Sequence, residues 1–218
     1  MTGYKEVAAE VARDGVTLVS VSKMHPYSAV MEAYADGARI FGENRVQELE
    51  AKFPLPSERP EGMKVYLIGQ LQRNKARKAV ELSDRIESVD SLPLIDKIEK
   101  EASAAGKTME VLLELNSSGE EQKAGFRSGD ELLDAASYII SSCPHILLKG
   151  LMTVGPLGFD EGRNREAFTY AKGVFDKLKA LSPSIDTLSM GMSADWKTAV
   201  GCGSTEVRIG TAIFGARV

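Results

Sequence analysis

The chain has 218 residues, of which 43% are hydrophobic and 27% are charged, and its formal net charge at pH 7 is −4. These values are typical of a soluble globular protein with a sizeable core, and the acidic balance disfavours nucleic acid or an anionic membrane as the main partner. Only two cysteines occur, far apart and without a CxxC motif, together with only two histidines, which disfavours a disulfide framework or a Cys/His metal site.

A short helix is predicted over residues 4–13, and eight β-rich runs follow it along the chain. The predicted strands are 17–22, 38–41, 64–68, 85–89, 110–115, 146–152, 187–190 and 206–209. Most gaps between them show the apolar spacing of helices. Ser128 with Glu131 forms a capping-box pattern at the start of one helix. Ser91 and Pro93 suit the opening of another, which Gly106 would end.

Eight strands that alternate with helices predict a parallel α/β protein. A closed (β/α)8 barrel, the TIM barrel, fits the strand count, and an open doubly wound sheet is the alternative. No G-x-G-x-x-G motif follows the first strand, which weakens the dinucleotide-binding form of the open sheet. The chain lacks a low-complexity linker, a membrane-length apolar stretch and a signal core, so we expect one domain over 1–218 and a cytoplasmic location.

The ends of several predicted strands carry chemically useful residues. Active sites of such barrels lie at the carboxyl ends of the strands, and Lys23 stands at the end of the first. Strands 7 and 8 commonly build a phosphate site from backbone N–H groups and glycines. Here they offer Ser193, predicted to begin a helix, and Gly210. A lysine that faces a phosphate cradle suits a phosphorylated aldehyde.

Each of these residues also has a simpler interpretation. Lys23 alone could be a strand-end lysine that extends into solvent, and Ser193 alone could be a helix cap. Arg208, within an apolar strand, could pair with a carboxylate such as Glu206 or Asp195. The combination of the strand-1 lysine with the cradle on strands 7 and 8 favours the functional interpretation.

Seven strings in the sequence resemble the pyridoxal phosphate homeostasis protein family. They are VSVSKMHP, FGENRVQE, LIGQLQRNK, LELNSSGEEQKAGF, GLMTVGP, LSMGMSADW and GSTEVRIGTAIFGAR. The resemblance runs in order from about Val16 to the C-terminus. It implies the barrel of alanine racemases and eukaryotic ornithine decarboxylases (fold type III), and pyridoxal 5'-phosphate (PLP) as the cofactor.

The resemblance also implies a set of cofactor-binding residues. Lys23 would hold PLP as a Schiff base, and Arg208 would face the pyridine nitrogen. Asn44 would line the mouth of the barrel. The whole set is Lys23, Asn44, Ser193, Arg208, Gly210 and Thr211, the last two gripping the phosphate with Ser193. No metal is implied.

The function implied by the resemblance is to buffer, carry and help regulate intracellular PLP, in vitamin B6 homeostasis, with apo PLP-dependent enzymes as recipients. Racemases of this fold need a second domain and a partner subunit, and we expect no such second domain here. Tyr66 replaces a histidine common in the family, and is expected to pack in the core. We therefore expect a monomeric carrier in which any racemase-type activity is weak, with a PLP-dependent amino-acid racemase or lyase as the alternative.

Overall fold

The computed structural model describes residues 3–158 and 160–215 of the chain. Its eight parallel strands close into a barrel in chain order, and the last strand pairs with the first. The strands are β1 (Thr17–Val21), β2 (Ile40–Glu43), β3 (Lys64–Leu67), β4 (Arg85–Val89), β5 (Met109–Leu115), β6 (Ile146–Thr153), β7 (Thr187–Met192) and β8 (Glu206–Ile209). The predicted (β/α)8 barrel is confirmed, and the open sheet is wrong.

Helices follow the strands and form the outer layer. They are α1 (Tyr4–Ala12), α2 (Tyr27–Ala35), α3 (Val46–Lys52), α4 (Ala76–Leu82), α5 (Leu92–Ala104), α6 (Gly129–Ser142), α7 (Glu161–Lys179), α8 (Trp196–Gly201) and α9 (Thr211–Phe214), with 3-10 turns at Pro56–Glu58 and Arg73–Lys75. None of the helices within the described ranges is long and apolar enough to cross a membrane.

The predicted helix ends are confirmed where capping chemistry defines them. The amide of Glu131 donates to Ser128 Oγ at 3.2 Å, and the Glu131 carboxylate accepts from the amide of Arg127 at 2.9 Å. The first contact is the N-cap half of a capping box, and the second goes to the residue before the cap in place of the Ser128 amide. Helix α5 ends before Gly106, whose φ of +60° is readily adopted by glycine.

The second strand begins two residues later than predicted. Gly37 has a φ of +114°, and the amide of Ala38 donates to Ala33 O at 2.9 Å. These features close the end of α2 with a left-handed glycine cap, which uses residues assigned to the strand by the 38–41 prediction. The strand starts at Ile40 once the cap is complete.

The two faces of the barrel strands bury different kinds of side chain. One face packs aliphatic residues against the helices, as Val65, Leu67 and Leu113 show with no exposed surface. Because side chains alternate along a strand, the intervening positions point inward. Several of them are polar and fully or nearly fully buried: Arg85, Glu87, Ser189, Glu206 and Arg208. The barrel interior is therefore a charged core inside an apolar shell.

Candidate functional site

A cavity of about 440 Å³ opens at the carboxyl end of the barrel. Its walls include all six residues predicted from the sequence: Lys23, Asn44, Ser193, Arg208, Gly210 and Thr211. Apolar side chains complete the walls, among them Val21, Ile68 and Val154. The structure thus brings together residues from the ends of β1, β2, β7 and β8, and their role in cofactor binding stays a prediction.

A buried ion pair between α3 and β2 holds the strand end that carries Lys23. Lys52 Nζ, on α3, donates to Glu43 Oε1 at 2.6 Å and to the carbonyl of Ser22 at 2.8 Å. The Ser22 hydroxyl donates to the same Glu43 oxygen at 2.7 Å. Burial raises the pKa of Glu43, while the contacts with Lys52 and Ser22 act against that rise. The residue before Lys23 is thereby tied to both β2 and α3.

The residue after Lys23 is held as well. Met24 has a φ of 63°, a left-handed conformation that is uncommon outside glycine, and its amide donates to Glu48 Oε2 on α3 at 2.8 Å. The next residue, His25, stacks on Phe214 of α9 with ring centroids 5.3 Å apart. This stack joins the loop after Lys23 to the helix after β8. These contacts could not be predicted from local sequence patterns, because the residues that flank Lys23 and their partners are 21 to 189 positions apart.

Arg208 is buried, with 4% of its surface exposed, and reaches two neutral acceptors. Its Nη1 donates to Ser189 Oγ at 2.7 Å, and its Nη2 donates to the carbonyl of Thr153 at 2.8 Å. The alternative that Arg208 pairs with Glu206 or Asp195 is wrong. Glu206 is instead engaged by another arginine at the far end of the barrel.

The loop after β7 corrects one prediction. Helix α8 begins at Trp196, so Ser193 lies in a turn before the helix and does not begin it. Asp195 defines this turn, because its Oδ1 accepts from the amide of Met192 at 2.6 Å. Ser193 and Ala194 are exposed at the cavity, and within the described chain their amides make no hydrogen bond. The Ser193 hydroxyl accepts from the amide of Gly210 at 3.4 Å.

Two glycines allow close backbone approach at the mouth. A Cβ on Gly69 would lie 2.3 Å from the carbonyl oxygen of Asn44, so the loop after β3 can cross Asn44 only without a side chain. The hydroxyl of Ser88 anchors that loop by donating to Gly69 O at 2.6 Å. A Cβ on Gly210 would lie 3.0 Å from Val21 O. Both glycines keep strand ends packed tightly around the cavity.

A partly buried carboxyl group, that of Glu114, lies near Arg208 at this end of the barrel. Burial, together with the charge of Asp90, raises the pKa of Glu114 to about 7, and Arg208 and Lys123 oppose the rise. Glu114 was not among the predicted site residues. It could have been identified as an acidic residue in a strand, MEVLLEL, whose residues other than Glu110 and Glu114 are all apolar.

The opposite end of the barrel holds a second polar cavity, of about 420 Å³. Arg85 lines it, with Nη1 3.0 Å from Glu206 Oε2 and Nε 3.3 Å from Glu110 Oε2. Its guanidinium lies over the ring of Tyr66, 4.4 Å from the centroid. Tyr66 is 2% exposed, which confirms the expectation that it packs in the barrel.

Known proteins resemble this chain over almost all of its length. The family model described as "Alanine racemase, N-terminal domain" matches residues 4–218. A pyridoxal phosphate homeostasis protein of Pasteurella multocida is 38% identical over 211 residues, which cover 96% of this chain and 90% of the relative. Its counterpart in Mus musculus is 40% identical over 212 residues, covering 92% and 76%.

A solved structure gives the same result. PipY of Synechococcus elongatus, determined with PLP bound, is 37% identical and superimposes with a TM-score of 0.84. The match covers 97% of this chain and 100% of PipY. The resemblance found in the sequence is therefore confirmed: the chain belongs to the alanine racemase N-terminal domain family and, within it, to the pyridoxal phosphate homeostasis proteins.

Proposed function

We propose that this protein binds PLP in the mouth of its barrel, buffers it and passes it to enzymes that need it. The observation that carries the proposal is the convergence of Lys23, Arg208 and exposed backbone amides on one cavity. Its volume of about 440 Å³ lies in the usual range for small-molecule sites. The relatives' names and the PLP bound to PipY support the same ligand.

Lys23 is the proposed point of covalent attachment. When bound, PLP supplies an aldehyde, with which a neutral lysine amine forms a Schiff base. Among the residues that line the cavity in the described ranges, Lys23 is the one lysine. Contacts from α3 fix the backbone on both sides of it, so the side chain starts from a defined position at the strand end.

The phosphate is proposed to lie between the ends of β7 and β8. The amides of Ser193 and Ala194 are free to donate, and the hydroxyls of Ser193 and Thr211 also reach this wall of the cavity. Amide and hydroxyl donors bind a phosphate dianion through charge-assisted hydrogen bonds. Gly210 lets β8 lie close to β1, which keeps the phosphate side and Lys23 in one site.

Arg208 is proposed to donate a hydrogen bond to the pyridine nitrogen. A guanidinium keeps its protons at physiological pH, so such a contact leaves the ring nitrogen unprotonated. Because its own hydrogen bonds go to the neutral acceptors Ser189 and Thr153, Arg208 retains its charge for the ligand. An unprotonated ring withdraws electrons weakly, which suits binding more than catalysis.

The composition of the cavity wall favours a carrier over a racemase. Racemisation needs acid/base groups on both faces of the substrate carbon. In the described part of the chain, the wall contains no tyrosine, histidine, cysteine, aspartate or glutamate, and Lys23 is its one lysine. Tyr66 lies at the other end of the barrel.

The proposal extends to the oligomeric state, the cellular location and the recipients of PLP. All the proposed contacts come from one chain, so a monomer suffices for binding. Both cysteines, Cys143 and Cys202, are free thiols, which fits the reducing cytoplasm. Apo forms of PLP-dependent enzymes are the proposed recipients.

A transfer experiment tests the proposal. The PLP-loaded protein is mixed with an apo PLP-dependent enzyme, and recovery of that enzyme's activity is followed, with the Lys23→Ala variant as the matched control. We expect the unmodified protein to deliver PLP, and the variant to lack covalently held cofactor. Amino-acid racemisation or decarboxylation by the protein itself near the ordinary enzyme median of about 10 s⁻¹ would overturn the carrier function.

A further inference from the structure

A chain of buried hydrogen bonds lies beneath Arg208. Arg208 Nη1 donates to Ser189 Oγ at 2.7 Å, and the Ser189 hydroxyl donates to Glu87 Oε2 at 2.9 Å. Ser189 and Glu87 have no exposed surface. A guanidinium can only donate, so Ser189 Oγ accepts from Arg208, and its hydroxyl proton is directed to Glu87 Oε2. The two hydrogen bonds thus run from Arg208 through Ser189 to Glu87.

Glu87 is also adjacent to a second carboxyl group. Arg85 Nη1 lies 3.0 Å from Glu206 Oε2 and 3.8 Å from Glu87 Oε1. In the part of the chain described, neither Glu87 Oε1 nor Glu206 Oε1 has a hydrogen-bond partner. Buried polar atoms are rarely left unpaired, and one proton held between the two carboxyl groups would satisfy both.

The electrostatic surroundings of Glu87 agree with a neutral group. Burial and the neighbouring Glu206 raise the pKa of Glu87 well above its usual range, against the opposing charges of Arg208 and Arg85. The other ionisable groups around Arg85 are Tyr66 and Glu110. A proton at Oε1 leaves Oε2 as the acceptor for Ser189, as observed.

We propose that Ser189 and Glu87 are positioning residues for the cofactor, an inference that rests on the PLP-binding function proposed above. Glu87, protonated at Oε1, accepts the Ser189 hydroxyl at Oε2 and so orients Ser189. Ser189 in turn accepts from Nη1 of Arg208 and fixes that side of the guanidinium. The remaining donors of Arg208 stay available to the cavity that it lines. Without Ser189, the guanidinium would turn towards the nearby carboxyl groups of Glu87 and Glu114 and cease to serve the ring nitrogen.

Ser189→Ala tests the first link, with Ser20→Ala as the matched control. Ser20, on strand β1, is equally buried, and its hydroxyl makes no hydrogen bond within the described residues. Two quantities are measured: the dissociation constant for PLP, and the pH at which the visible absorbance of the bound cofactor changes. We expect Ser189→Ala to bind about tenfold more weakly and to shift that pH, and Ser20→Ala to do neither.

Substitutions at Glu87 test the second link. In Glu87→Gln, the amide can accept from Ser189 through its oxygen and donate to Glu206 Oε1 through its nitrogen, as the neutral acid would. We expect this variant to bind PLP within about twofold of the unmodified protein. Glu87→Leu keeps similar bulk and removes both hydrogen bonds, so we expect the loss of about tenfold seen with Ser189→Ala.

The outcomes separate this inference from the proposed function. Unchanged affinity and pH dependence in folded Ser189→Ala or Glu87→Leu would overturn the positioning role. Loss of affinity in Glu87→Gln equal to that in Glu87→Leu would overturn the neutral state of Glu87. Should Ser189→Ala not fold, Ser189→Thr, which keeps the hydroxyl, must bind like the unmodified protein. Failure of the unmodified protein to take up PLP would overturn the proposed function itself.

Discussion

The two ends of the barrel interior each contain a buried arginine in a different electrostatic environment. Arg85, at the amino end of the strands, lies within 4 Å of the carboxyl groups of Glu87, Glu110 and Glu206. Arg208, at the carboxyl end, donates to a hydroxyl and a backbone carbonyl, both neutral. The same residue type is neutralised at one end and left charged at the other.

This difference indicates that the arginine at one end of the barrel stabilises the fold and the arginine at the other end serves ligand binding. Neutral partners position Arg208 without cancelling its charge, so that the charge can act on a ligand in the cavity. The ion pairs with Glu206 and Glu110 offset the cost of burying Arg85 and leave little net positive potential for a ligand. The contrast agrees with the general division of labour in such barrels, where the carboxyl end carries function and the amino end stability.

Removing Arg85 should have the largest effect on folding. Arg85→Met would leave Glu206 and its neighbours buried without their cation, and such losses cost about 3–5 kcal/mol in the free energy of unfolding. Denaturant unfolding of the PLP-free protein measures this. Lys149→Met is the matched control, since its partner Asp186 is largely exposed and such pairs are worth at most about 1 kcal/mol. Equal stabilities of the two variants would contradict the structural role of Arg85.

A pH experiment sharpens the comparison at the carboxyl end. The pKa of Glu114 is raised in the folded protein to about 7. The protonated side chain therefore stabilises the fold fully at pH values below its pKa in the unfolded chain, and this stabilisation is lost as the pH rises through 7. Glu114→Gln cannot ionise, so we expect it to lack this loss. Between pH 4.5 and 8, its free energy of unfolding should rise by about 3 kcal/mol relative to that of the unmodified protein.

Unfolding measured across this pH range provides the test. Glu121 is exposed and lies in a loop, so Glu121→Gln serves as the control. Its free energy of unfolding should change with pH as that of the unmodified protein does. If Glu114→Gln also follows the unmodified protein at every pH, then Glu114 is ionised normally and the account of the mouth is wrong.

Arg208→Met should reverse the pattern seen with Arg85. Because the partners left behind are neutral, we expect a smaller loss of stability than in Arg85→Met. PLP binding should weaken by about 1.5–3 kcal/mol, the contribution of a hydrogen bond to a charged group. Parallel measurement of unfolding and of PLP affinity in the two arginine variants decides the matter. A greater loss of stability in Arg208→Met would contradict the division between the two ends.

The smallest effect is expected at the phosphate side. Ser193→Ala removes one donor and should weaken PLP binding by about 1.5 kcal/mol. Gly210→Val should weaken it more, because its Cβ would already lie 3.0 Å from Val21 O. Equilibrium titration with PLP distinguishes the two. Unchanged affinity in a folded Gly210→Val variant would count against this side of the cavity.

The sequence was sufficient for the barrel and for the residues of the mouth. Strand periodicity and strand ends are local properties, so Lys23, Ser193 and Gly210 could be placed at one end of a barrel before any contact was known. Arg208 was placed by its family motif. The order of the strands then followed from the alternation of strands and helices.

The supporting contacts could not be predicted in the same way. The pairing of Lys52 with Glu43, and of Ser189 with Glu87, joins residues on different elements. The partner of each buried charge depends on barrel register, which the sequence pattern leaves open. For the same reason Arg208 was given a possible carboxylate partner that in fact belongs to Arg85.

The most direct test of the central claim is to locate the covalently held cofactor. The protein is loaded with PLP, reduced with borohydride so that the lysine adduct becomes permanent, and digested for peptide mapping. We expect modification at Lys23 alone, with none in the Lys23→Ala variant. Modification at Lys75, beside the mouth, or at the exposed Lys197, with Lys23 unmodified, would contradict the assignment of the barrel mouth as the binding site.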